Sequence, residues 1–127
     1  MINFNKDSVW NLKPIPNDIA EKDVGRLLIN NEHIVAAFKT IRDKIIFTNK
    51  RIITTDIQGI TGVKRSYGFL PYSKIQFYTI ETPGLIEFVP DSTMNIMFSN
   101  GFTATFEFKG NVNILNLSQV ISQYILE

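Results

Sequence analysis

MNIMFSNGFTATFEFK, residues 94–109, decides the fold. Phe102, Ala104, Phe106 and Phe108 fall on one side of an extended chain, and Thr103, Thr105, Glu107 and Lys109 fall on the other. Met94, Ile96 and Phe98 alternate in the same way in the preceding run. A period of two with one apolar side describes paired strands that have one face in a core and the other in water. Between them Asn100-Gly101 predicts a two-residue turn, whose positive φ angles suit the twist of a hairpin.

Downstream of this hairpin, Ile114, Leu117, Ile121, Tyr124 and Ile125 repeat at steps of three and four, which predicts an amphipathic helix over residues 112–126. Upstream, short β-prone runs such as KIIFT, RIITTDI and IQFYTIE are separated by turn residues, so residues 32–109 read as about seven antiparallel strands. Before them Ala20, Val24, Leu27 and Leu28 predict a short helix over residues 17–30, started by Asn17 or Asp18. Residues 1–16 mix Asn, Lys and Pro with scattered apolar groups and read as a docked arm. A mainly β, α+β domain spanning residues 1–127 is expected, a bent sheet or partial barrel plugged by its terminal helix.

The chain has 127 residues, enough for one core, and 13 basic against 12 acidic side chains leave a net charge of +1. That balance provides no global field for nucleic acid, so any electrostatic partner must be local. The absence of cysteine removes disulfides, thiolate nucleophiles and sulfur-ligated metals. No apolar run approaches the roughly 18 residues of a membrane helix. Residues 1–16 also lack the basic and apolar regions of a leader, so a cytoplasmic protein is expected.

Residues 37–84, AFKTIRDKIIFTNKRIITTDIQGITGVKRSYGFLPYSKIQFYTIETPG, resemble the bacterial pleckstrin-homology (PH) family. The matching parts are Arg42-Asp43, FTNKR at 47–51, DIQGITGVK at 56–64, PYSKI at 71–75 and Glu81-Thr82. The resemblance implies two orthogonally packed antiparallel sheets of seven strands with a C-terminal helix across one open corner. It also implies ring-like homo-oligomers, a largely uncharacterised molecular function and no catalytic residues. PH domains that bind phosphoinositides hold the headgroup with several cations in their first strand and loop. That region here offers Lys39, Arg42 and Lys44, with Asp43 in the turn.

No enzyme is expected. His33 is the sole histidine and has no second imidazole or thiol to share a metal with. The carboxylates are dispersed, no serine lies in a GxSxG elbow, and nothing asks for a cofactor. Gly59-Ile60-Thr61-Gly62 matches the GxxG of a nucleic-acid loop, but it lies between strand-like runs rather than helices, so turn glycines explain it better. Two cation sets remain as candidate anion or lipid contacts: Lys39, Arg42 and Lys44, and a patch of Lys50, Arg51, Lys64 and Arg65. Ile46, Ile52, Tyr78, Ile80, Leu85 and Met97 fall on what would be outer faces of strands. Together with Trp10 in the arm they are candidate contacts of a homo-oligomer, the N-terminal helix being the other available cover.

Overall fold

The computed structural model describes residues 2, 4, 6–58, 64–83 and 88–127. The chain runs β1 (Ser8–Ile15), α1 (Asn17–Val24), a 3-10 turn (Gly25–Leu27), β2 (Ile34–Lys39), β3 (Asp43–Thr48), β4 (Arg51–Gln58) and β5 (Lys64–Pro71). It continues through a second 3-10 turn (Tyr72–Lys74), β6 (Ile75–Glu81), β7 (Phe88–Phe98), β8 (Thr103–Asn113) and α2 (Ile114–Leu126). The GxxG residues 59–62 and Leu85 lie outside the described residues.

Two expectations about the sheet are corrected. The described residues form eight strands rather than seven, in one continuous sheet of order β5-β4-β3-β2-β1-β8-β7-β6 instead of two separate ones. The extra strand comes from the arm. Trp10 and Leu12 are buried while Val9, Asn11 and Lys13 are exposed, the alternation of a strand with one wet face. Ser8 to Leu12 pair in parallel with Ala104 to Phe108 of β8, and Lys13 to Ile15 pair antiparallel with β2. β1 therefore joins a β2–β5 wing to a β6–β8 wing.

The hairpin that opened the reading is present, with a different turn. The Phe98 amide donates to the Phe102 carbonyl (2.9 Å), and the Gly101 amide donates to the Phe98 carbonyl (2.9 Å). The loop is thus three residues long, and only Gly101, at φ +92°, takes the left-handed conformation. This is the arrangement of a type I turn followed by a bulged glycine. Asn100 instead accepts from the Phe102 amide through Oδ1 (3.1 Å).

The concave face of the sheet holds the main core, where Trp10 stacks on Phe106 (ring centroids 5.2 Å) and Phe47 meets Phe106 edge-on (5.5 Å). α2 closes one mouth with Ile114, Leu117 and Ile121, while Tyr124 and Ile125 stay partly exposed, Tyr124 meeting Tyr72 edge-on at 6.0 Å. Asn113 caps this helix, accepting from the Asn116 amide (3.0 Å), and the Tyr78 hydroxyl fastens it through Ser118 and Ser122. Phe4 fills the other side, edge-on to Phe102 (5.6 Å) and against Gly68, where any Cβ would stand 2.7 Å from the Phe4 ring.

A second, smaller core lies on the outer face of the β2–β5 wing. α1 lays Ala20 and Val24 over Ala37, Ile46 and Ile53, with Ile15, Leu27, Leu28, Ile34 and Tyr67 around them. The helix is shorter than the 17–30 span expected: Gly25 starts the 3-10 turn and Asn31, at φ 66°, reverses the chain. Among the described residues no helix is long and apolar enough to cross a membrane.

Candidate functional site

Arg51 opens β4, and the hydrogen bonds of the preceding turn fix its position. The Thr48 hydroxyl accepts from the amides of Lys50 and Arg51 (both 3.0 Å) and lies 2.7 Å from Glu32 Oε2, to which it donates. The Arg51 guanidinium grips Glu32 with two bonds, Nε to Oε2 (2.9 Å) and Nη2 to Oε1 (3.0 Å). Nη2 also donates to the Leu27 carbonyl (2.8 Å), and the guanidinium sits 4.9 Å over the Phe69 ring. Glu32 accepts in addition from the Ile29 amide (3.1 Å). Beneath this network the buried Tyr72 hydroxyl donates to the Thr48 carbonyl (2.6 Å), and burial pushes its phenol pKa up.

These bonds tie the segment after α1 to the β3–β4 turn and leave the guanidinium engaged. Burial pushes the Glu32 carboxyl up, but Arg51, the Ile29 amide and the Thr48 hydroxyl outweigh it and hold the pKa below its usual value. Burial likewise raises Asp23, and Lys44 and Arg65 more than offset it. A lowered carboxylate pKa contributes stability above the unfolded value, about 4, and that contribution is lost as pH falls through the folded value. Asp43 works in the opposite sense: burial and the facing Asp56 raise it, so protonation there relieves a cost. Urea melts between about pH 5 and pH 3 are expected to show stability falling with pH. The fall should be shallower in Glu32→Gln; equal slopes would remove Glu32 as a cause.

The cations singled out in the sequence are dispersed. β4 and β5 pair antiparallel, with Arg51 opposite Pro71 and Gln58 opposite Lys64. Lys50 and Arg51 therefore stand at one end of the hairpin and Lys64 and Arg65 at the other, about 20 Å apart at strand rise. The expected four-cation patch does not assemble. Lys44 pairs with Asp23, and Arg65 shares that carboxylate at 3.4 Å. Lys50 lines an open groove of about 660 Å³ with His33, Asn49, Val120, Gln123, Tyr124 and Glu127. Arg42 is exposed at the β2–β3 turn.

Lys39 gains neighbours that sequence reasoning missed. It stands opposite Lys44 on one side and Lys13 on the other. Because β1 and β8 run parallel with Leu12 beside Phe108, the next residue along each strand brings Lys109 beside Lys13. The signal available in the sequence was alternation: Lys13 and Lys109 each follow a buried apolar residue, Leu12 and Phe108.

The apolar residues proposed for outer faces are mostly interior. Trp10 and Ile52 belong to the main core, and Ile46 lies beneath α1. Tyr78 and Ile80 turn inward opposite the buried Ile96 and Met94, because an irregularity between Ile75 and Phe77 reverses the parity of β6. Met97 remains outside, where its sulfur lies 3.3 Å from the Thr103 hydroxyl. Among the described residues no group of three or more His, Asp or Glu side chains could hold a metal ion.

A curled, mainly β half-barrel with a helix across one mouth defines the PH-like class of domains. A family model described as "Bacterial PH domain" matches residues 3–125. The chain belongs to the bacterial PH domain family. It is 32% identical over 114 residues to the uncharacterized protein YjqA of Bacillus subtilis, covering 88% of this chain and 90% of that one. Among solved structures it is similar to a DUF1696 family protein with a pleckstrin-homology domain from Shewanella loihica. That likeness has a TM-score of 0.70 and 29% identity, covering 91% of this chain and 97% of the other. A pleckstrin homology domain from Shewanella amazonensis is similar with a TM-score of 0.59 and 29% identity, covering 89% and 90%.

Proposed function

We propose that this protein is a noncatalytic interaction and assembly module of the cytoplasm that associates with copies of itself. The observation that carries this reading is the β6 edge. β6 ends the sheet, and its sequence, IQFYTIE, contains neither the lysine nor the proline that commonly blunts an exposed edge. Phe77, at the start of that edge, is 56% exposed and faces outward beside Met97. Val9, also exposed, lies on the same side of the sheet three strands further in, on β1. α1 packs on the β2–β5 wing, so among the described residues no helix lies over this apolar rim.

The opposite edge is protected. β5 begins with Lys64 and Arg65, ends at Pro71 and is braced inside by Phe4. One blunted and one open edge favour association through β6 and its neighbours over indiscriminate end-to-end pairing. Light scattering on the purified chain is expected to give a mass several times 14.5 kDa, and Phe77→Lys should shift it toward the monomer. A strict monomer at high micromolar concentration overturns the reading.

A further inference from the structure

We infer that the outer face formed by β8, β1, β2 and β3, with the β2–β3 turn, is a docking face for an anionic lipid surface. Lys109, Lys13, Lys39 and Lys44 stand side by side on four adjacent strands, neighbouring backbones being about 4.8 Å apart. Among the described residues Lys44 pairs with Asp23, whereas Lys13, Lys39 and Lys109 are exposed and form no ion pair there. Of the bordering acids, Asp23 is engaged by Lys44 and Arg65, and Glu107 lies two residues before Lys109 on the same side of β8, so the four lysines outnumber the acids beside them.

Like charges directly opposite each other on paired strands destabilise a sheet. Protection against edge pairing does not account for these lysines, because β8, β1 and β2 are each flanked on both sides. Nor does overall solubility call for them to be adjacent, since the chain carries a net charge of only +1. An anionic surface that meets all of them at once relieves the repulsion, and flexible ammonium groups suit a surface of many headgroups better than one shaped ligand.

The second observation is independent of charge. Ile41, at the tip of the turn between Lys39 and Lys44, is wholly exposed, at 102% of its reference surface. An apolar side chain held in water just beyond a pair of lysines is placed to enter the headgroup boundary while the lysines meet the phosphates.

Sedimentation of the full chain with vesicles tests this. Binding is expected to vesicles of phosphatidylcholine mixed with phosphatidylglycerol, not to phosphatidylcholine alone, and to fall at high salt. The triple variant Lys13→Gln, Lys39→Gln, Lys109→Gln should bind about a hundredfold more weakly while melting no lower than the parent. Ile41→Ser should weaken binding several-fold and leave the salt dependence unchanged. A control triple, Lys6→Gln, Lys50→Gln, Lys74→Gln, makes the same change of charge away from this face, Lys50 lying in the β3–β4 turn at the opposite end of the strands, and should keep most of the binding. The inference is overturned by no binding to the mixed vesicles, by equal losses in the two triples, or by a preference for soluble tripolyphosphate over vesicles. Should the first triple fail to fold, Ile41→Ser decides, full retention of binding overturning the inference.

Discussion

Replacing Arg51 by methionine is expected to cost about 3–5 kcal/mol of stability, a large share of what a domain of this size possesses. The Glu32 side chain is 0% exposed, so the substitution strands a carboxylate where water cannot reach it. The Ile29 amide and the Thr48 hydroxyl still donate to it, which supports the lower half of that range rather than more. Methionine keeps much of the packing under Phe69 and so isolates the charge. Urea denaturation measures the loss, and the double variant Arg51→Met, Glu32→Gln should recover part of it because no ion is then left buried. A single-variant loss below about 1 kcal/mol, the scale of an exposed pair, would show that the Glu32 carboxylate reaches solvent or another cation.

Phe106→Ala is expected to cost a similar amount, about 3–5 kcal/mol, through an unrelated mechanism. The Phe106 ring is fully buried, stacks on Trp10 at 5.2 Å and meets Phe47 at 5.5 Å and Phe108 at 6.3 Å. All these partners are rings held by separate strands, so the hole cannot close by the shift of a single side chain. Trp10 is the only tryptophan, and it loses its stacking partner. Its emission should move to the red in the folded variant as the denaturation midpoint falls. Unchanged emission would mean that β1 repacks into the space.

The elements that were legible in the sequence are those whose pattern is local. Phe102, Ala104, Phe106 and Phe108 announced a strand with one buried face, and burial follows that alternation. Ile114, Leu117 and Ile121 announced the face of α2 in the same way. β1 was illegible because its alternation spans only Val9 to Lys13 before Pro14 and Pro16 interrupt it. Without β1 the sheet counts seven strands, and the bridge between its two wings is lost.

The surface was harder to read than the core, since faces depend on register between distant segments. Ile46 was correctly noticed as an apolar residue needing a cover, and α1 supplies it. Tyr78 and Ile80 were assigned the wrong side because one irregularity in β6 exchanges the two faces, which no residue type in IQFYTIE marks. Lys50 with Arg51 and Lys64 with Arg65 are near in sequence and far apart in the hairpin, whereas Lys13, Lys39 and Lys109 are far apart in sequence and adjacent on the sheet.

The parallel pairing of β1 with β8 sets an order on the chain's assembly. Ser8 faces Ala104, about 96 residues later in the chain, so β1 leaves the ribosome without a partner on that side until β8 has followed. Until then β2–β5 and β6–β7 can form only as hairpin groups, and the β8 side of β1 stays unfilled. The insertion of β1, carrying Trp10 onto Phe106, turns those two partial sheets into one molecule. A nascent chain stalled before residue 104 would present open strand flanks to its neighbours, and the folded protein hides them by placing β1 between its two wings.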